Sequence, residues 1–149
     1  MEKTLHIKYF IVSFILAVGF ISAQERWNYS AEEMESTKIN GKEIRRLKEN
    51  VRFVKPGKVI LTDNAVQYIS GDVLHLNGNT MMINGMDTLT CDSMVYWSKL
   101  DSGYAMGNVY YVQPEKDRRL TTEIFHYWQT EGYRGSSFIA QGYTRVIEN

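Results

Sequence analysis

The chain has 149 residues, with 17 basic and 17 acidic side chains, 11 glycines, two prolines and one cysteine. That length suits one domain with a real core, and zero net charge excludes a nucleic-acid binder working by bulk positive charge. A single cysteine excludes an internal disulfide framework and any cysteine-rich zinc site.

Residues 1–23 read as an export signal. Lys3 and Lys8 give a positive start, and residues 9–23 carry no charge. The uncharged stretch is shorter than the roughly 20 apolar residues of a membrane span and suits a signal-peptide core. Cleavage after Ala23 leaves 24–149 as the mature domain; left uncut, the segment is an inner-membrane anchor. Either way the remainder works outside the cytoplasm. Cys91 then has no partner and reads as a small hydrophobe in a strand.

The mature chain repeats. Leu61-Thr62, Leu89-Thr90 and Leu120-Thr121 align at spacings of 28 and 31, and seven residues after each leucine stands a tyrosine: Tyr68, Tyr96, Tyr127. Asn64, Asp92 and Glu123 recur three residues after the leucine, and Val66, Met94 and Phe125 five after it. A second marker, Asn50-Val51, Gly78-Asn79-Thr80 and Gly107-Asn108-Val109, recurs every 29 residues. Six residues beyond each asparagine stands a turn former: Pro56, Gly85, Pro114. Partial copies begin at Ser30-Ala31-Glu32-Glu33 and Gln141-Gly142.

Each copy predicts β structure. The runs 50–55, 58–62, 80–83, 88–91 and 108–113 are rich in β-branched and aromatic residues. Turns are expected at Pro56-Gly57, Ser70-Gly71-Asp72, Asn84-Gly85 and Gly103. A Ser-x-x-Glu capping box at 30–33 predicts at most one short helix, over 30–35. Two strands per copy make a meander, in which equal positions stack at about 10 Å into stripes. The expected stripes are Leu61/Leu89/Leu120, Val66/Met94/Phe125, Tyr68/Tyr96/Tyr127, Phe53/Met82/Tyr111 and Leu47/Leu76/Ala105/Ala140. The fold expected is all-β: a repeat-built antiparallel β-jellyroll, a two-sheet stack open at its ends and lined by apolar side chains.

With these elements the chain resembles the OstA-like family, the LptA family of periplasmic lipopolysaccharide-transport bridge proteins. The residues that carry the resemblance are Gly107-Asn108-Val109 with Gly78-Asn79-Thr80, and the Leu-Thr-x-Asp strand from Leu89 to Tyr96, within residues 27–147. Thr80 and Glu49 depart from the Gly-Asn-Val pattern. The resemblance implies a periplasmic jellyroll whose apolar interior holds the acyl chains of lipopolysaccharide. It also implies head-to-tail association of protomers and contact with other lipopolysaccharide-transport components, toward outer-membrane assembly. On it, Phe53, Val66, Tyr68, Met82, Met94, Tyr96, Tyr111, Phe125 and Tyr127 are the candidate lipid contacts. The free sheet edges expected at 27–34 and 143–147 are natural docking surfaces.

Charge is uneven. Residues 38–58 carry a net +6, leaving the rest of the mature chain at −7. Arg45, Arg46, Lys48, Arg52, Lys55 and Lys58 are therefore candidates for contact with an anionic headgroup or with an acidic partner surface. They also fit the outward residues of an exposed strand, where lysine blocks edge-to-edge aggregation. Two other readings stay open: a structural or adhesive β-repeat protein without a small ligand, and a membrane-tethered component resembling LptC. No enzyme, metal or cofactor is expected. Nucleophile elbow, phosphate loop and His-Glu metal motif are all lacking, and His75 and His126 fall at different offsets of the repeat. Asn64, Asp92 and Glu123 recur as corner residues capping their own backbone would.

Overall fold

The computed structural model describes residues 26–129 and 136–148; the export signal expected at 1–23 lies outside them. Ten antiparallel strands form one sheet: β1 (Asn28–Ser30), β2 (Glu33–Ile39), β3 (Lys42–Lys55), β4 (Lys58–Tyr68), β5 (Val73–Asn84), β6 (Asp87–Trp97), β7 (Ser102–Gln113), β8 (Arg118–Gln129), β9 (Ser136–Gln141) and β10 (Arg145–Glu148). Strands β3 to β8 neighbour one another in chain order. The flanking strands split: β1 and β2 pair with opposite ends of β3, and β10 and β9 with opposite ends of β8.

The two layers of this β-jellyroll are thus halves of the same long strands. Each strand from β3 to β8 runs from a first rim, with turns at 56–57, 85–86 and 114–117, to a second rim, with turns at 40–41, 69–72 and 98–101. Midway the ladder breaks in every pair, between Lys48 and Val51, Leu61 and Asn64, Asn77 and Thr80, Thr90 and Ser93, and Met106 and Val109. The recurring Gly-Asn marker is this bend. Gly78 and Asn79 take φ of 85° and 42°, Gly107 and Asn108 75° and 47°, and Glu49 and Asn50 60° and 52°. Two successive left-handed residues cannot stay in a ladder, so the strand turns there.

A carboxylate holds each bend. Asn79 Nδ2 donates to Asp63 Oδ2 at 2.8 Å, and Asn108 Nδ2 to Asp92 Oδ2 at 2.8 Å; Asn50 donates likewise to Glu32. A Cβ on Gly78 would lie 2.6 Å from Asp63 Oδ2, and Gly107 and Gly142 face Asp92 and Glu123 in the same way. The corner residue of the first copy is therefore Asp63, where Asn64 was expected. Its partner is the side chain of the next strand rather than its own backbone.

That one-residue correction reorients β4. Ile60, not Leu61, joins Leu89 and Leu120 inside; Ala65, not Val66, joins Met94 and Phe125; Gln67, not Tyr68, takes the position of Tyr96 and Tyr127. Val59, Ile60 and Leu61 are three apolar residues in a row, so alternation cannot choose their face. The Asp63 corner chooses it. The Phe53/Met82/Tyr111 and Leu47/Leu76/Ala105 stripes are buried, and Ala140 packs against the core.

Two local expectations are corrected. Residues 30–35 are not helical: the end of β1 and the start of β2 occupy them, and Glu32 is drawn to the bend, its N–H donating to the Glu49 carbonyl at 3.0 Å. Gly103 lies within β7 rather than in a turn, where a Cβ would come within 3.2 Å of the Tyr127 ring.

Gly78→Ala and Gly107→Ala should each destabilise by about 2 kcal/mol, from left-handed strain plus displacement of the carboxylate. Glu49→Gly should act oppositely and gain up to about 1 kcal/mol. Urea midpoints of the three variants would check both signs.

Candidate binding interior

Because each strand alternates, inward residues fall into rows parallel to the rims. The middle rows are apolar except at the bends, where Thr62, Thr80 and Thr122 share a buried row with Val51, Cys91 and Val109, and the apolar rows meet across the fold. The Tyr111 ring, from the first-rim half of β7, lies 4.9 Å from that of Phe125, from the second-rim half of β8; Phe138 stacks on Phe125 at 5.0 Å. Trp27, ahead of β1, meets Tyr96 edge-on at 5.8 Å. Between Met82, Leu89, Tyr111, Phe125 and Tyr127 about 10 Å³ is left open, about the least that holds one water. Among the described residues, side chains fill the space between the layers there.

Polar rows bound this apolar slab. At the first rim the inward positions are Lys55, Lys58, Asn84, Asp87, Gln113 and Arg118. Asp87 there accepts from Tyr111 Oη at 2.6 Å and from Gln113 Nε2 at 3.1 Å. At the second rim the polar side chains of Arg45, Gln67, Tyr96 and Tyr127 take inward places, in a row that also holds Leu74 and Gly103. Arg45 Nη1 donates to Gln67 Oε1 at 2.9 Å and its guanidinium lies 4.5 Å from the Tyr29 ring, while its Nε is buried without a partner. A mouth of about 660 Å³ opens between the rims, lined by Arg26, Trp27 and Lys55 from the first-rim side and by Arg45 and Gln67 from the second, among others.

The two rims are joined by one buried cluster. Lys58 donates to Asp101, in the turn between β6 and β7, and to Tyr127 Oη at 2.6 Å. Tyr96 also donates to Asp101, as does Tyr127 at 3.0 Å. Burial lowers the Lys58 pKa, and the Asp101 carboxylate only partly restores it. Burial also disfavours the charge on Asp101, but hydrogen bonds from Lys58 and Tyr96 and the charges of Lys58 and Lys55 outweigh it and hold the carboxyl below its usual range. Burial pushes the Tyr96 and Tyr127 phenols well above their ordinary value, and the Cys91 thiol up to about 12. Cys91 is therefore an inert thiol at neutral pH.

Of the expected lipid contacts, Phe53, Met82, Met94, Tyr96, Tyr111, Phe125 and Tyr127 come together in the interior. Val66 instead lines an outer depression of about 350 Å³ with His75 and Val95, and Tyr68 is exposed, its ring 5.0 Å from that of His75. The basic residues do not form one patch. Lys48 is exposed beside Glu33 at 3.6 Å and Arg52 is exposed, whereas Arg45 and Lys55 line the mouth and Lys58 is buried. Arg46 is half-buried and pairs with Val66. The sequence reading missed Asp101 and the inward direction of Lys58. The second follows from the Asp63 corner, which turns Ile60 and with it Lys58 inward.

Among the described residues no helix is long and apolar enough to cross a membrane, and no group of three or more His, Cys, Asp or Glu is placed to hold a metal ion. The architecture is that of the LptA-like β-jellyrolls. Among solved structures the chain is similar to LptH of Pseudomonas aeruginosa, described as the LptA-homologous periplasmic component of the lipopolysaccharide transport device. The TM-score is 0.61 at 9% identity, over 80% of this chain and 97% of that one. At that identity the likeness is one of fold. No protein-family model and no curated protein sequence matches the chain.

Proposed function

We propose that the protein is a non-enzymatic, periplasmic lipid carrier in the transport of lipopolysaccharide to the outer membrane. One observation carries the reading: an apolar slab edged by polar rows, inside a fold shared with nearly the whole of LptH. A sheet folded on itself gives such a slab a way to open. Its halves are joined at the bends, so parting the rims exposes both apolar faces to acyl chains, while charged headgroup atoms stay near Arg45 and Lys55 at the mouth.

The edge strands β1 and β2 at one end, and β9 and β10 at the other, offer backbone groups for head-to-tail pairing with another copy or another transport component. Met34 and Ile39 on β2, Ile139 on β9, and Val146 and Ile147 on β10 are exposed there. A second reading, a structural β-repeat protein without a ligand, is favoured by how little space the interior holds.

A photoreactive amino acid placed at Met94, inside, and separately at Tyr68, outside, separates the two. Labelled lipopolysaccharide should crosslink at Met94 in a saturable way and not at Tyr68. Equal or absent labelling at both positions would remove the carrier reading and favour the second.

A further inference from the structure

We propose that the Lys58–Asp101 pair is a latch across the seam of the folded sheet, and that Lys58 receives the acidic group of an anionic amphiphile when the latch opens. The inference rests on the lipid-carrier reading and adds to it a chemical selectivity and a defined anchoring residue.

The pair can exist only because the sheet is folded. Lys58 begins β4 at the first rim, and Asp101 ends the turn before β7 at the second. On a flat sheet they would stand about 35 Å apart, the length of an eleven-residue strand. In the folded sheet they are hydrogen-bonded, so parting the rims must separate them.

The two partners do not fare equally when that happens. The Asp101 side chain is 27% exposed and belongs to a turn, so it moves into water easily; the Lys58 side chain is 2% exposed and points inward in line with Ile60. Opening therefore takes from the Lys58 ammonium the carboxylate that pairs with it, leaving it at the edge of the apolar rows without that counter-charge, and stripping a largely buried charge of its partner is costly. A carboxylate or phosphate on the incoming lipid supplies the missing charge, with the Tyr127 hydroxyl within reach of the same site. Lys55, whose Nζ is 4.0 Å from Asp101, adds a second positive charge at the seam. Acyl chains attached to that group would lie along the apolar rows beginning at Ile60 and Leu89. An uncharged amphiphile replaces the contacts between the layers but not Asp101.

Fluorescence titration of the purified protein with cis-parinaric acid and with its methyl ester, at neutral pH, tests this. The native protein should bind the acid about tenfold or more tightly than the ester, a difference of about 1.4 kcal/mol. The double variant Lys58→Met, Asp101→Asn removes both charges together, so no unpaired charge is buried and the fold is kept. With the latch gone it should bind the ester at least as tightly as the native protein does and lose the preference for the acid, and Lys58→Arg with Asp101 intact should retain that preference. Equal binding of acid and ester by the native protein, or an undiminished preference in the double variant, overturns the assignment of Lys58 and leaves the lipid reading standing. Binding of neither probe by the native protein overturns both.

Discussion

Phe125→Ala should lower the unfolding free energy by about 3–5 kcal/mol, the range for removing a fully buried aromatic ring. Phe125 is 1% exposed and sits where the layers meet, with Tyr111 and Phe138 on its ring at 4.9 and 5.0 Å. Its contacts are divided between the two halves of the sheet. The halves are tied at the bends and at the Lys58–Asp101 latch, so neither can settle into the vacated volume without straining the other. The cost should therefore fall toward the upper part of the range. Urea denaturation followed by circular dichroism measures it. A loss below about 1 kcal/mol would mean a site that collapses freely, and the layers would not be in firm contact.

Asp101→Ala should cost about 3 kcal/mol, the lower end of what breaking a buried ion pair costs, because it strands Lys58 inside. Lys58→Met should cost less, since the Asp101 it leaves behind is already partly in water. Replacing both together should come close to neutral. The order of the three variants separates a stranded charge from a simple loss of contact.

The same cluster sets a pH dependence whose sign follows from the shifts. The Asp101 carboxyl is held below its usual range in the folded protein. Its contribution is therefore complete above the unfolded carboxylate value of about 4 and is lost as pH falls through the lower folded value. Lys58 works the other way. Its folded-state pKa is lowered, so its burial disfavours the folded state at neutral pH and that cost lifts only as pH rises toward the unfolded value. Tyr96 and Tyr127, raised in the fold, contribute stability below about pH 10 that is lost above it, as the unfolded phenols ionise. Urea midpoints taken across the acid range should fall below about pH 4, and Asp101→Asn should flatten that fall. An unchanged acid limb would show that Asp101 carries no net pairing energy.

Much of the architecture was readable before any coordinates. Turn formers at Pro56, Gly85 and Pro114 all lie at the first rim, and the Phe53/Met82/Tyr111 stripe is buried as a row. The failures were local, and each has one cause: a short motif that serves two structures. Leu61-Thr62 matches Leu89-Thr90 by eye, yet the residue that fixes the register is the carboxylate of Asp63, in contact with a glycine fifteen positions later. A search for acid-to-glycine spacing, Asp63 to Gly78 and Asp92 to Gly107, would have set β4 correctly. The capping box at 30–33 failed similarly, because Glu32 reaches Asn50 on a neighbouring strand instead of an N–H of its own segment.

Periodicity and the Gly-Asn marker by themselves determined that this chain makes bent antiparallel strands with an apolar inner face. Both are properties of single strands and their immediate neighbours, written at fixed intervals along the chain. How little room the layers leave and the meeting of Lys58 with Asp101 were decided only by the closed tertiary structure. Those outcomes depend on contacts between strand ends that hydrogen-bonded pairing keeps far apart, and only folding the whole sheet brings them together.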